Sequence, residues 1–228
     1  MAVTVTDTET TGAHPSDGAE VVEVCAVVVH LDKKIVTVNH TLVRPDGDIP
    51  PDTSAVHHIT RETFDREPSI SQNDLGRWIV GKADGSRLIA AHNMEFDREF
   101  MNYDGLPPWM CTMRLARHLW PDAPNHKLQT LRYFLGLPDP GGNPHRARHD
   151  TMICASMLMR AHEEFGLDED ALLELSSKPI LLQVCHLKKH KGEPWSQVPS
   201  DYMRWILRSD FDQDTVHTCE YWLAQRRN

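Results

Sequence analysis

Nowhere in the 228 residues is there an apolar run approaching the ~20 residues that a membrane-crossing helix needs, which excludes a helical membrane protein. The first residues carry no basic segment followed by an apolar stretch, so no secretory signal is expected and the chain reads as cytoplasmic. Repeats and low-complexity tracts are also missing, which leaves a globular domain. Cysteine is scarce and scattered: Cys25, Cys111, Cys154, Cys185 and Cys219 are odd in number and never spaced as CxxC. That pattern argues against a disulfide framework or a zinc site and fits buried thiols in a reducing compartment. Positive charge is in deficit as well, with 24 Lys and Arg against 33 Asp and Glu and a net charge of −9. Such a deficit counts against a polyanionic partner only weakly when acids gather in one place and bases in others. Basic side chains do cluster, at residues 114–118, 127–132, 145–149 and 188–191, and each cluster reads first as a solvated face.

What the chain does have begins almost at its first residue. Residues 3–12, Val-Thr-Val-Thr-Asp-Thr-Glu-Thr-Thr-Gly, form an alternating, β-branched run that carries two carboxylates, Asp7 and Glu9, at i and i+2. In a strand those positions point to the same face. Two carboxylates held side by side repel unless a cation lies between them, and hard oxygen ligands suit a divalent metal ion. A solvated strand edge is an equally good account of the pair taken alone. Thr10-Thr11-Gly12 tilts the balance, because a small, tight exit turn leaves backbone N–H groups exposed beside the acids.

The rest of the chain reads as an α/β layered domain. Residues 21–31 are an almost continuous Val-rich run suited to a central strand, and 35–44 alternate as a third strand. A short helix is expected from Asp52 or Thr53 to Ile59, and another within 68–81 around Leu75, Trp78 and Ile79. Residues 87–91 read as a short apolar strand, followed by helices at 92–103, 111–119, 128–135 and 148–165. Three strands and then mainly helices, with one or two strands between them, imply a mixed sheet. Beyond Gly166 the character changes to a short acidic helix, an extended stretch at 180–187, and helices at 199–207 and 211–225. The expected division is therefore a domain at 1–166 and a small, mainly helical C-terminal region at 167–228, docked on the core.

Two further acids stand at telling places. Asp97 follows the apolar strand and Ala90-Ala91-His92-Asn93, and Asp150 opens the long helix, five residues after His145. Either acid alone is explained by the helix dipole. Taken together with Asp7 and Glu9, the set resembles the DnaQ-like, DEDDh-type 3′→5′ exonucleases. Asp7-Thr8-Glu9-Thr10-Thr11-Gly12 matches the first motif of that family, Ala91-His92-Asn93-x-x-Phe96-Asp97 the second, and His145-x-Ala147-x-x-Asp150 the third. The three motifs cover roughly residues 1–165. Further segments are similar to one bacterial branch of the family, among them Leu42-Val43-Arg44-Pro45, Leu119-Trp120-Pro121 and, in the tail, Lys189-His190-Lys191-Gly192 and Tyr202-Met203-Arg204-Trp205. The loop after Gly12 departs from that branch: it is longer, and Ala13-His14 stand where relatives carry residues that wedge against a duplex end.

The resemblance implies an RNase H-like (DnaQ-type) mixed central sheet flanked by helices. It also implies a two-metal site of Asp7, Glu9, Asp97 and Asp150 that takes Mg²⁺ or Mn²⁺. Two ions roughly 3.5–4 Å apart would activate the attacking water and stabilise the leaving 3′-oxygen. Asp7 would bridge, Glu9 and Asp150 would complete one shell, and Asp97 would act through water on the other ion. His145 is the implied general base, since a histidine ordinarily titrates at about 6.5, near working pH. His149 is its rival, but adjacent residues on a helix point about 100° apart and do not share a face. Arg146, four residues before the last acid, excludes the tyrosine-using subclass. Implied substrate contacts are Thr10, Thr11 and Gly12 on the terminal nucleotide, His92 and Asn93 near the scissile phosphate, Phe96 by stacking, and Ala13 and His14 at a duplex end. Phe96 serves equally well as core, and His57 and His58 as packing or capping groups. Residues 111–117 and 188–191 are candidates for neutralising strand phosphates. The expected substrates are single- and double-stranded DNA 3′ ends. RNA or short oligonucleotides are the alternative, and a non-catalytic binding or proofreading module is the reading from another class.

Overall fold

The computed structural model describes residues 2–33 and 35–226. The chain runs β1 (Ala2–Thr10), β2 (Val21–His30), β3 (Ile35–Arg44), α1 (Pro51–His57), α2 (Arg61–Arg66), β4 (Ser69–Ser71), α3 (Gln72–Ala83), β5 (Leu88–Ala91), α4 (Met94–Phe100), β6 (Trp109–Cys111), α5 (Thr112–Leu119), α6 (Leu128–Phe134), α7 (Ala147–Phe165), α8 (Glu169–Ser177), α9 (Ser200–Ile206) and α10 (Gln213–Gln225). The strands form one mixed sheet in the order β4-β3-β2-β1-β5-β6, with β1–β2 and β2–β3 antiparallel and the other pairs parallel.

The β-branched alternation at the start of the chain makes β1 a central strand with both faces covered. Val3, Val5, Cys25, Val27 and Val29 face a core shared with α5, α6, α7 and α8. On the other face Val24, Ala26, Val43 and Ile89 pack against Leu75 and Ile79 of α3 and Phe100 of α4. Truncating Ile79, which is fully buried there, to alanine would cost about 2–5 kcal/mol through lost burial and the cavity left behind. Because side chains alternate along a strand, Asp7 and Glu9 lie on the α7 face and Thr8 on the α3/α4 face. The β1–β2 register breaks between Glu9 and Thr10, a bulge-type irregularity at the point where the strand turns out of the sheet.

The strands and helices expected from sequence are present within a few residues of their expected ends. Two three-residue edge strands, β4 and β6, were not anticipated, since so short a run has no measurable period. The fourth helix starts at Met94 rather than at His92, because Asn93 takes the left-handed conformation with φ 66°. The division of the chain also differs from expectation. Compact units run from Met1 to Ser177 and from Lys178 to Asn228, because α8 packs with α5 and β6 of the first unit. The second unit has a core of its own, made of Cys185, Trp195, Val198, Met203, Ile206, Cys219 and Leu223. Its extended stretch is held to α10 by Ile180 N donating to Asp214 Oδ1 and Leu182 N donating to Thr218 Oγ1, each at 2.9 Å. Asp212 caps α10, accepting from Thr215 N at 2.9 Å.

Candidate active site

Three carboxylates from two distant stretches of the chain converge. Asp7 and Glu9 come from the end of β1 and Asp150 from the first turn of α7, and they offer oxygen atoms that all lie within 4.8 Å of one another. This meeting follows from the layering: α7 covers the sheet face toward which odd-numbered β1 residues point. Asp97 approaches from the other layer. Its Oδ1 accepts from Thr8 N at 3.0 Å and from Thr8 Oγ1 at 2.9 Å, so the even-numbered face of β1 holds the fourth acid at the same strand end.

The electrostatics of this cluster are those of acids buried close together. Burial raises Asp7 well above the usual carboxylate range, and Asp97, Glu9 and Asp150 push it further in the same direction. Burial with Glu23 and Asp150 nearby brings Glu9 up to about 8, and burial brings Asp97 up to about 7 against the opposing bonds from Thr8. Asp150 is raised by burial and held down by the His145 N–H. Converging oxygen donors of that charge fit a hard divalent cation, which would replace the mutual repulsion with attraction.

Two residues that hold Asp150 differ in how visible they were. His145, in the left-handed conformation at φ 59° and exposed, donates its backbone N–H to Asp150 Oδ2 at 2.9 Å. Gln129 of α6 donates Nε2 to Asp150 Oδ1 at 2.6 Å, a contact that sequence reasoning missed and for which no sequence signal existed. Both carboxylate oxygens of Asp150 are thereby oriented. The rival histidine is placed differently: His149 is 3% exposed and its Nδ1 donates to the Gly141 carbonyl at 3.1 Å.

Glu23 is the second residue that was missed. It stands opposite Glu9 in the β1–β2 ladder and is 1% exposed. Arg146 grips it in a bidentate manner, with Nε at 3.1 and 3.0 Å from the two oxygens and Nη2 at 2.7 Å from Oε1. Ala147 N donates to Oε2 at 2.8 Å, and His40 Nε2 lies 2.7 Å from Oε1. Although burial opposes it, the hydrogen bonds from His40, Arg146 and Ala147 and the Arg146 charge hold Glu23 at about 2. This buried ion pair ties β2 to the two residues that follow His145. A signal did exist, since one acid in an otherwise Val-rich central strand must find a partner.

The remaining expected contacts divide. Thr10 Oγ1 donates to the Gly12 carbonyl at 2.7 Å, and Thr11 N donates to the Glu20 carbonyl at 2.8 Å, so the exit turn is closed on itself. A Cβ at Gly12 would meet Ala19 Cβ at 3.1 Å, tight enough to move the turn. Ala13 and His14 are exposed, and His14 Nδ1 lies 2.9 Å from Glu99 Oε2 of α4, which raises the imidazole pKa. Asn93 is exposed at the mouth of α4. The His92 ring is engaged within the protein: Nε2 donates to the His126 carbonyl at 2.8 Å and Nδ1 lies 3.1 Å from Thr112 Oγ1. Burial lowers its pKa to about 4. Phe96 is half-buried against Phe100, with ring centroids 5.3 Å apart, and belongs to the core on that face. His57 is buried and accepts from Ile59 N at 3.0 Å, while His58 ends α1 in the left-handed conformation. Cys111 at the end of β6 and Thr112, Leu115 and Ala116 of α5 are buried and Arg114 donates to the Ser176 carbonyl, so that segment is largely a packing element.

An RNase H-like sheet with acids converging at the end of its central strand defines a class, the DEDDh-type nucleases of the DnaQ-like group. The chain belongs to the Exonuclease family, whose model matches residues 4–158, and it is a 3′→5′ exonuclease, a hydrolase. It is 32% identical over 211 residues to exodeoxyribonuclease 10 of Escherichia coli (strain K12), covering 90% of each chain. It is also 32% identical over 180 residues to the DNA polymerase III epsilon subunit of Treponema pallidum (strain Nichols), covering 71% of this chain and 78% of that one. Among solved structures it resembles exonuclease X in complex with 5′ overhanging duplex DNA, with a TM-score of 0.63 and 32% identity, over 77% of this chain and 99% of the other. Members of the family generally use divalent metal ions, which the acidic cluster of Asp7, Glu9 and Asp150 would suit, and the structure of exonuclease X holds DNA.

Proposed function

We propose that the protein is a Mg²⁺-dependent exodeoxyribonuclease that releases nucleoside 5′-monophosphates from the 3′ ends of single- and double-stranded DNA, in repair or degradation. The observation that carries this reading is the meeting of Asp7, Glu9 and Asp150 around one point, with His145 bonded to Asp150 beside them. Asp7, Glu9 and Asp150 would hold the metal, with Asp97 completing the set. Mn²⁺ has the same preference for oxygen ligands and would substitute. When bound, the metal supplies Lewis-acid stabilisation of charge on the phosphate oxygens and on the attacking and leaving oxygens.

The chain's own residues do the rest. His145 takes a proton from the attacking water as the new P–O bond forms and the bond to the leaving 3′-oxygen breaks. Its left-handed backbone is an uncommon conformation for a residue with a side chain, costing about 1–3 kcal/mol, and the bond to Asp150 helps to hold it. Gln129 and Thr8 keep Asp150 and Asp97 from rotating away. The turn of Thr10, Thr11 and Gly12 borders the terminal nucleotide, and Ala13 and His14 border the entrance for a duplex end. Five buried, unpaired cysteines support a reducing cytoplasm as the place of work, and among the described residues no helix is long and apolar enough to cross a membrane.

The test is digestion of 3′-end-labelled DNA and RNA, each single- and double-stranded, with Mg²⁺. Release of deoxynucleoside monophosphates from both DNA forms, faster than ribonucleotides from RNA, is expected. Release from RNA alone would replace the proposal with its ribonuclease alternative.

A further inference from the structure

The second unit carries a feature that the chemistry at Asp7 does not use. Tyr202 and Trp205 of α9 are stacked, with centroids 5.3 Å apart and planes 21° from parallel. His190 meets Tyr202 in a tilted contact at 4.7 Å, and Phe211 meets Trp205 edge-on at 5.6 Å. Tyr202 and Phe211 lean on the unit's core, but Trp205 does not, and half of its surface is open to water. The unit's other tryptophans behave differently, Trp195 being fully buried and Trp222 packed against the core. An indole flanked by two rings and still half in water keeps open surface that a flat partner can cover.

Charge surrounds the row. Lys189 Nζ sits 5.4 Å from the Tyr202 ring centroid, and exposed Arg208 follows one turn after Trp205. Two acids stand near this edge: Glu193, bonded by His190 Nδ1 at 3.0 Å, and exposed Asp201, one helical turn before Trp205 on α9. Over the whole unit positive charge prevails. Residues 178–228 carry eight Lys and Arg against six Asp and Glu, whereas residues 1–177 carry 16 against 27, so the net charges are +2 and −11. Net charge is therefore less unfavourable to a polyanion on the second unit than on the first.

From the stacked Tyr202–Trp205 pair, the open half of Trp205 and the cations beside it we infer that the face of Lys189, Tyr202, Trp205 and Arg208 is a binding site for single-stranded nucleic acid. One base stacks on Trp205, and Lys189 and Arg208 neutralise the flanking phosphates. Stacking on an indole tolerates every base, which suits an enzyme that must trim any sequence. Because the site shares a chain with the active centre, it raises the local concentration of a strand that is being digested and favours repeated cleavage. The inference rests on DNA being the substrate.

The experiment uses the full-length protein in EDTA, where no strand is consumed. Fluorescence anisotropy follows binding of a labelled single strand of about 20 nucleotides, long enough to span a stacking site. Trp205→Ala should weaken binding about tenfold, the worth of one stacked base, and Trp205→Phe should restore most of it. Lys189→Ala with Arg208→Ala should flatten the slope of log K against log salt by about 1.4, the effect of two phosphates on a single strand. Binding by Trp205→Ala within about twofold of the parent, measured by the same assay, would overturn the inference. So would unchanged strand binding together with loss of self-association in sedimentation, which would make the row a protein-docking face. Release of monophosphates by the parent protein with Mg²⁺ is scored separately, so failure of the DNA reading is seen there and failure of this site in EDTA.

Discussion

Replacing Glu23 by glutamine should destabilise the first unit by about 3 kcal/mol at pH 7. The carboxylate is buried, gripped by Arg146, Ala147 and His40, and held at about 2 against a usual 4.5. A difference of that size corresponds to about 1.4 kcal/mol for each pKa unit. Breaking one half of a buried ion pair costs about 3–5 kcal/mol by a separate route, the desolvated charge left on the partner. A folded pKa below the unfolded one means that the stability is fully present above about pH 4.5 and is lost as pH falls through 2. Urea unfolding of parent and variant, followed by circular dichroism at pH 7 and pH 3, should therefore show the gap shrinking from about 3 to about 1.5 kcal/mol. Because the pair ties β2 to Arg146 and Ala147, kcat should fall with little change in KM, through misplacement of His145 and Asp150. A variant as stable as the parent at pH 7, or a gap that does not depend on pH, would refute the reasoning.

Other outcomes are expected from the same geometry. His145→Ala should keep its circular dichroism spectrum while releasing nucleotides about 10²–10⁴-fold more slowly, the usual contribution of a positioned base, and near-parental activity would remove His145 from that role. Asp7→Asn should raise the melting temperature in EDTA, since ionised Asp7 is disfavoured in the folded cluster, and it should abolish activity. Its folded pKa lies above the unfolded one, so the gain should be present at pH 7 and vanish below about pH 4, where both states are protonated. Excess EDTA should stop nucleotide release and added Mg²⁺ restore it; activity that persists in EDTA would exclude the metal site.

Several features could be read locally. The alternation that places Asp7 and Glu9 on one face is a period-two property of ten consecutive residues, and β1 carries it unchanged. The long Ala- and Met-rich run became α7 because its apolar positions repeat at helical spacing over 19 residues. The three-residue strands β4 and β6 escaped notice because their pairing partners, not their own composition, make them strands. The boundary at Ser177 escaped for a similar reason, since the acidic segment 169–177 looks like the start of a new region until its packing on α5 is seen.

The sequence by itself set Asp7, Glu9, Asp97, Asp150 and His145 in recognisable motifs, because motif spacing and strand period are written within short windows. The tertiary structure decided how they are held. Thr8 and Asp97 are 89 positions apart, Gln129 and Asp150 are 21 apart, and Glu23 and Arg146 are 123 apart. No local window spans such pairs. They exist because the sheet brings β2 beside β1 and the two helical layers close on its opposite faces, so that carboxylates and their partners meet where the central strand ends.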